Sequence, residues 1–410
     1  MKVAVVGGGL AGVTAALDLV DAGAEVTVYE ARPTLGGAVQ TLPARDGDPE
    51  PPPDNGQHIA LGCFVEYLRF LDRIGEGRSV LRTRLALPVI AEDGAVSSIR
   101  PTPAALVAYS HLRMRDRLRI PIVLARLRTA RARDGETFGA MLRRLGASDA
   151  AVERFWDVFI RPALNLPADE VDVHAGLFTV RTALLGPRAN ADLVLPIKPL
   201  GEMHGDAAGR ALGAAGANVR LGERVESLDD VDADAIVVAT PPRESARLLD
   251  EPDPSYEDSP IVSVHLWFDR ALLATPLAAL LSSDAHWVFD RGALTGHAPE
   301  RGQYLTVVSS GVPELLEVRG KELVDRIAGE LTGRLGSAGL LWSRVSREPY
   351  ATVALRPNVA RPGVSTARAD VVRAGTWTDT GWPATMESAV RSGRAAAARV
   401  VDTVRSTVST

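Results

Sequence analysis

Lys2-Val3-Ala4-Val5-Val6-Gly7-Gly8-Gly9-Leu10-Ala11-Gly12 is the stretch on which the fold turns, and Glu25-Val26-Thr27-Val28-Tyr29-Glu30 completes it. Lys2 to Val6 is a short, valine-rich apolar run that reads as a strand. Gly7 to Gly12 reads as a glycine-rich turn, Val13 to Ala22 as an amphipathic helix stopped by Gly23, and Glu25 to Glu30 as a second strand. Strand, turn, helix and strand within about thirty residues make one βαβ unit, the smallest piece of a parallel sheet. Gly7-x-Gly9-x-x-Gly12 follows the strand and opens the helix, where a dinucleotide-binding turn requires it. The first glycine makes the tight turn, the second admits pyrophosphate close to the backbone, and the third lets helix pack on sheet. N–H groups at the helix start, with Leu10 and Ala11 among them, supply donors and the positive end of the dipole. Glu30 ends the second strand, where its carboxylate can accept from the adenosine ribose hydroxyls.

Downstream, Glu30-Ala31-Arg32 is followed by Gly36-Gly37, a pair that lets the chain pass close to a second phosphate or a ribityl chain. This extension resembles the flavin amine oxidase and carotenoid desaturase superfamily, whose members hold FAD through an E-A-R-x-x-x-G-G segment. FAD is therefore the expected cofactor. Members often carry Arg after the second glycine, whereas this chain has Ala38, which removes the side chain credited with a phosphate contact. Asp54-Asn55-Gly56-Gln57-His58, followed by Leu61-Gly62, sets polar groups beside an apolar segment. Such a cluster can line the flavin ring, with Gly56 permitting close approach and Gln57 or His58 offering hydrogen bonds; His58 equally fits a turn held by backbone bonds. In the superfamily, the strand matching Arg224 to Ser227 meets adenine through backbone at the position of Val225, and Ala239-Thr240-Pro241-Pro242 ends a strand passing beneath the cofactor.

Gly375-Thr376-Trp377-Thr378-Asp379-Thr380-Gly381-Trp382-Pro383-Ala384-Thr385-Met386-Glu387-Ser388-Ala389 reads as a loop ending at a helix. Free N–H groups from Thr385 to Glu387 can point at the flavin N1/C2=O edge, and a helix N-terminus favours the negative charge a reduced flavin acquires. D-N-G-Q-H paired with W-T-D-T-G-W-P-A-T-M-E-S-A resembles the squalene-associated FAD-dependent desaturase family, the hydroxysqualene dehydroxylases. The likeness covers both ends of the chain and Arg224 to Pro242. That family usually has G-D-W where this chain has Gly375-Thr376-Trp377, so the contact of the missing acid passes to the Thr376 hydroxyl or to backbone N–H.

The resemblance implies an α/β fold, with a Rossmann-like FAD-binding domain from residues 1–75, 200–250 and 365–410 and an interleaved α+β substrate domain from 76–199 and 251–364. It implies reductive removal of the hydroxyl of hydroxysqualene to give squalene, toward hopanoids, with hydride from reduced flavin N5. A leaving hydroxide needs a proton donor and an allylic cation needs a dry pocket. His58 is the first candidate acid, with Asp379 and Asp54 behind it. The same frame serves carotenoid- and protoporphyrinogen-type desaturases and oxidases, which remove hydride, and non-catalytic isoprenoid carriers. Both alternatives stay open here. No second GxGxxG is present for NADPH, so an external electron donor is expected.

At 410 residues, 46% hydrophobic and 24% charged, the chain is ordinary globular material and too long for one small module. Forty-six basic against 51 acidic residues give a net charge of -5, too balanced for a general nucleic-acid binder. Cys63 is the one cysteine, which leaves no internal disulfide or cysteine-based metal cluster, and points to a reducing compartment. No metal site is expected. The longest weakly polar stretch, Val3 to Leu17, carries four glycines and fits neither a signal peptide nor a spanning helix. A cytoplasmic protein, peripheral to the inner face of the cell membrane, is the expectation. Its membrane candidate is His111 to Arg133, where eight arginines face one acid, Asp116, among Leu, Ile and Val. That stretch reads either as a solvated face or as a contact for anionic lipid beside the entrance for an insoluble triterpene.

The remaining pattern predicts a solvated loop at Leu42–Pro53, a helix at Phe64–Ile74 and strands within Leu85–Val96 around an Asp93-Gly94 turn. Pro101–Leu185 reads as helical. Strands are expected at Asn218–Leu221, Arg224–Ser227, Ala235–Ala239, Ile261–Phe268 and Tyr304–Ser310, and helices at Val318–Leu335 and Glu387–Val404.

Overall fold

The computed structural model describes residues 1–408. Lys2–Val6 is the central strand of a five-stranded sheet whose order is Val371–Arg373, Ala235–Val238, Lys2–Val6, Glu25–Glu30, Asn218–Leu221. Every neighbouring pair is parallel. Val3 to Val6 are all buried, the pattern of a strand covered on both faces. One cover is the helix Leu10–Asp21, against which the terminal helix Met386–Val408 packs. Gly393 makes their close approach possible, because a Cβ there would lie 2.2 Å from the Ala11 carbonyl oxygen.

The first helix starts at Leu10, three residues before the expected Val13. Gly9 is its N-cap residue, and Val13 N–H donates to Gly9 O at 2.9 Å, so the glycine stretch itself supplies the first turn. Gly12 costs helix propensity there but is required sterically: an added Cβ would sit 1.9 Å from Gly7 O. A second correction concerns Arg224–Ser227, which forms no strand. The Asn218–Leu221 strand ends at Gly222, where φ is +71°, and the chain then turns back so that Glu223 N–H donates to Glu30 O.

A second, seven-stranded sheet has the order Leu340–Val353, Asp258–Phe268, Gln303–Ser310, Trp287–Asp290, Leu277–Leu280, Leu87–Ile90, Val96–Ile99. It is antiparallel except where Leu277–Leu280 meets Leu87–Ile90. The expected turn joins its last two strands, with Gly94 at φ +80° and Ala95 N–H bonded to Asp93. Helices Pro103–Ala108, Met114–Leu127, Phe138–Arg144, Asp157–Leu164 and Val173–Thr179 supply the helical middle. Ala60–Leu61, Leu193–Pro196 and Val80–Thr83 form a third, small antiparallel sheet with Leu193–Pro196 in its middle. Leu42–Pro53 is irregular, as read from its prolines, but it is not wholly solvated: the Asp48 side chain is buried in an ion pair with Arg344. No helix among the described residues is long and apolar enough to cross a membrane.

Candidate active site

The sheet order reverses at Lys2–Val6: the chain crosses to Glu25–Glu30 on one side, and Ala235–Val238 takes the other. A crevice opens outside the carboxyl ends of strands at such a switch point. Three loops leave that edge together. Ala239 N–H donates to Val6 O at 2.8 Å, and Ala374 N–H to Val238 O at 2.9 Å, so Gly7–Gly9, Ala239–Pro241 and Gly375–Trp377 are neighbours. Gly7 is held at φ +110°, and a Cβ there would lie 2.5 Å from Ala239 O. By contrast, a Cβ on Gly9 would meet only Gly37 Cα, at 3.6 Å, which leaves its other side open to a ligand. Leu10 and Ala11 lie in the first helical turn, whose N–H groups have no partner within the helix.

Glu30 is buried and spans the turn. Its Oε2 accepts from Gly8 N–H at 2.7 Å and its Oε1 from Arg32 N–H at 2.9 Å, leaving further lone pairs for hydroxyl donors. Ala31 and Arg32 are exposed at its shoulder, and Arg32 Nη1 donates to Gly37 O. The Gly36-Gly37 pair has a role beyond the one read from the sequence. Gly36 N–H donates to Gly8 O at 2.9 Å, and a Cβ on Gly37 would lie 2.8 Å from Gly9 Cα, so the two glycine segments form one rim. On the opposite rim Trp377 Nε1 donates to Thr240 O at 3.1 Å, Thr378 Oγ1 to Gly375 O, and Ser392 Oγ accepts from Gly375 N–H. Thr240 Oγ1 is buried with no partner.

The terminal helix is aimed by Thr385 and Glu387. Thr385 Oγ1 accepts from Ser388 N–H as a cap, and Met386 and Glu387 begin the helix. Glu387 is 0% exposed. Its carboxylate accepts from the Glu66 and Tyr67 N–H groups at the start of the helix Val65–Arg73 and from Arg391 Nε, which ties two helix N-termini together. Trp382 packs edge-on against Phe64 and Phe178, with the Arg391 guanidinium 4.7 Å from its ring.

Asp54–His58 joins the two large units. Asn55 Nδ2 donates to Ala38 O, and Asp54 Oδ1 accepts from Thr41 Oγ1 at 2.6 Å and Leu200 N–H at 2.8 Å. On the other side Asp54 Oδ2 lies 2.5 Å from Arg291 Nη2, with both side chains buried. Gln57 Oε1 accepts from Arg291 Nη1 at 3.4 Å, and a Cβ on Gly56 would be 3.1 Å from Ser263 Oγ. Gln57 Nε2, Arg291 Nε and Ser263 Oγ are buried without partners, which marks a place built to receive polar atoms. Beneath them His265 bonds Thr306 across two strands of the seven-stranded sheet.

Comparison with known proteins follows this geometry. Residues 10–401 match the family of flavin containing amine oxidoreductases. A hydroxysqualene dehydroxylase from Sinorhizobium fredii is 30% identical, with 97% of each chain covered. The chain belongs to the flavin containing amine oxidoreductase family, in its hydroxysqualene dehydroxylase group. A second hydroxysqualene dehydroxylase, from Rhodopseudomonas palustris, is 28% identical over 96% of each chain. Among solved structures, an oxidoreductase from Methanosarcina mazei shares the fold at a TM-score of 0.75 and 19% identity, covering 96% of this chain and 99% of its own. The protein is therefore an FAD-dependent oxidoreductase, and the carrier reading is closed.

The rims fit FAD on their own terms: an open face at Gly9, spare acceptor capacity on Glu30, a partnerless Thr240 hydroxyl and a helix N-terminus at Met386. Val225 differs from expectation, since it lies on no strand and its carbonyl accepts from Arg247 Nη2 at 3.2 Å. Pro241 is the N-cap residue of the helix Pro242–Leu249 rather than a strand end. Thr376 is half-buried beside the Gly375 turn.

Of the three candidate acids, Asp379 belongs to a different cleft from Asp54. Asp379 is exposed, accepts from Gly381 N–H at 3.0 Å within its own turn, and stands 3.7 Å from Arg361. It borders a cleft of about 330 Å³ with Arg373, Arg391 and Arg394 that shares no residue with the Asp54 cluster. Burial pushes the Asp54 carboxyl up, while Arg291, Thr41 and Leu200 oppose the shift. A guanidinium does not deprotonate in a protein, so Asp54 serves as its counter-ion. His58 keeps part of its surface accessible, and the protein around its ring, with His204 beyond, lowers its pKa to about 4. At neutral pH its imidazole is uncharged, which removes the imidazolium an acid would need.

Sequence reasoning missed Arg291, Tyr304, His204 and the buried role of Glu387. Arg291 follows the apolar run Trp287–Phe289 and matches no motif, and only its burial opposite Asp54 reveals it. Tyr67 Oη and His204 Nε2 are 2.8 Å apart, and His204 Nδ1 lies 3.0 Å from Leu200 O, a buried pair with no local signature.

Proposed function

We propose that this enzyme removes the hydroxyl of hydroxysqualene reductively and gives squalene. The observation that carries the reading is the likeness to a hydroxysqualene dehydroxylase along 97% of both chains. The reaction balances as R–OH plus a proton and a hydride giving R–H and water. Bound FAD in its reduced form supplies the hydride.

The chain's own residues must bind the cofactor, exclude water and supply the proton. Gly9, Glu30, Thr240 and the start of the Met386–Val408 helix hold FAD. Arg291 Nε and Gln57 Nε2 offer N–H donors to the departing oxygen, and Asp54 keeps the guanidinium in place. Tyr304 lies beside Arg291 and Asp54 with its hydroxyl buried and unpartnered, which places a phenol proton within the cluster; burial raises its pKa, and the Arg291 guanidinium beside it opposes that shift and would stabilise the phenolate left by transfer to hydroxide. Tyr304 takes over the part read at first into His58, whose neutral ring is left to position rather than protonate.

The test is anaerobic incubation of photoreduced holoenzyme with hydroxysqualene, following flavin reoxidation and squalene by mass spectrometry. Squalene in step with reoxidation supports the dehydroxylase. A reduced flavin that stays inert sinks it and leaves the desaturase direction, tested with oxidised enzyme. Tyr304→Phe is expected to lower turnover by about 10²-fold or more with FAD content unchanged.

A further inference from the structure

The helix Met114–Leu127 is apolar on two opposite sides. One side, Ile120, Val123 and Leu127 with Asp116, is buried against the protein. On the other, Met114, Leu118 and Ile122 recur every fourth position and are 57%, 53% and 49% exposed. At about 100° per residue this second stripe points directly away from the buried one. Arg115, Arg119 and Arg126 follow along one edge of it, and Arg117 and Arg128 along the other. A merely solvated helix would carry its polar residues where these three apolar side chains stand.

The charges are dense as well as exposed. Many surface arginines elsewhere meet carboxylates, as Arg154 does with Glu92, Arg356 with Glu170 and Glu257, and Arg143 with Asp149 and Asp169, while others, such as Arg84 and Arg188, stand singly without one among the described residues. Arg113, Arg119, Arg128 and Arg131 have no carboxylate within ion-pair reach among the described residues. The single acid of 111–133, Asp116, is buried.

An outward apolar ridge between rows of guanidiniums, of which among the described residues only Arg115 reaches a carboxylate, that of Asp116 at 3.8 Å, needs apolar matter below and anions beside it in one plane. A bilayer surface with anionic headgroups supplies both. We propose that the Met114–Leu127 helix lies in the interface of an anionic membrane, with Met114, Leu118 and Ile122 in the acyl boundary and Arg113, Arg115, Arg119 and Arg128 at lipid phosphates. This selects the lipid contact over the solvated face for the arginine segment. It stands on the helix alone and does not depend on which reaction the flavin site performs.

The experiment is co-sedimentation of the full-length holoenzyme with vesicles of phosphatidylcholine alone or mixed with phosphatidylglycerol, at low and high salt. Wild type is expected to bind the mixed vesicles and to release with salt. The variant Met114→Ser/Leu118→Ser/Ile122→Ser is expected to lose at least about tenfold in partitioning, and Arg115→Glu/Arg119→Glu to lose the preference for phosphatidylglycerol. FAD absorbance in each variant verifies that it is folded. Wild type that ignores both vesicles, or variants that bind as it does, would overturn the proposal. So would a dimer in analytical ultracentrifugation that the triple serine variant dissociates while vesicle binding is unchanged, because the stripe would then belong to a second copy.

Discussion

Asp54 holds Thr41 and Leu200 with one oxygen and Arg291 with the other, so a single carboxylate is shared by both halves of the molecule. Breaking a buried ion pair by removing one partner strands the other charge. Asp54→Ala is therefore expected to lower unfolding free energy by about 3–5 kcal/mol, whereas Asp54→Leu with Arg291→Met, which removes both charges, recovers most of the loss. Urea titration of the single changes Asp54→Leu and Arg291→Met and of their double variant completes the cycle; additive losses would mean that the pair is not coupled. Glycines make a second residue-scale contrast. Gly12→Ala places a Cβ 1.9 Å from Gly7 O, while Gly213→Ala meets nothing within 4 Å. The first should abolish FAD retention, read as the ratio of flavin to protein absorbance. The second should leave it intact and stabilise the helix Ala207–Ala215 by up to about 1 kcal/mol.

At the scale of elements, the helices Val65–Arg73 and Met386–Val408 share one cap. The first has no side-chain cap of its own, and Glu387 from the other supplies it. Glu387→Ala would leave these N–H groups and Arg391 without their acceptor, at about 1–3 kcal/mol for each buried group, and is expected to lower Tm and FAD content together. Glu387→Gln keeps an acceptor oxygen and should lose less; equal losses would show that charge, not hydrogen bonding, is what the helices require. Elements whose signal is local were legible in the sequence: the glycine turn, the Asp93-Gly94 turn, and the apolar strands Asp258–Phe268 and Gln303–Ser310. Leu340–Val353 was not, because Arg344, Arg347, Glu348 and Pro349 interrupt its alternation. It is an edge strand, paired only with Asp258–Phe268, where proline is tolerated. Arg224–Ser227 has the opposite history, since its composition suits a strand but the chain has turned away from the sheet at Gly222. The flavin rims were readable because phosphate binding constrains consecutive residues. The Asp54–Arg291–Tyr304 cluster was not, because its members come from separate segments and only the tertiary fold brings them together.

For the whole molecule, acid stability follows from its histidines. Burial lowers the pKa values of His58 and His204 to about 4 and of His265 and His286 to about 3. Each stays neutral in the fold while the unfolded chain takes up its proton below about 6.5, so stability falls as pH drops from that value toward 4. Asp157, raised by burial to about 6, works the other way: its stabilisation is present at low pH and is lost as pH rises through 6. Burial raises Asp18, Asp54, Asp258 and Glu348 in the same sense, but their ordinary range lies below that of histidine, so between pH 7.5 and 5 the four histidines dominate. Unfolding free energy from urea titration is expected to decline from pH 7.5 to 5, by at most about 1.4 kcal/mol per pH unit for each histidine. A flat profile would show that these rings protonate freely in the fold.

The five-stranded sheet is finished late. Its central strand and first helix end by Asp21, but the edge strand Val371–Arg373 and the covering helix Met386–Val408 lie about 350 positions further along. At about 5–20 residues per second, a ribosome needs roughly 20–70 s to make what separates them. Throughout that interval the face of the Leu10–Asp21 helix that receives Gly393 is bare, and the loop at Gly375 that closes the crevice does not yet exist. Cofactor capture is thus deferred until those late segments are made, and the growing chain depends on them, or on a chaperone, to shield the surface that waits.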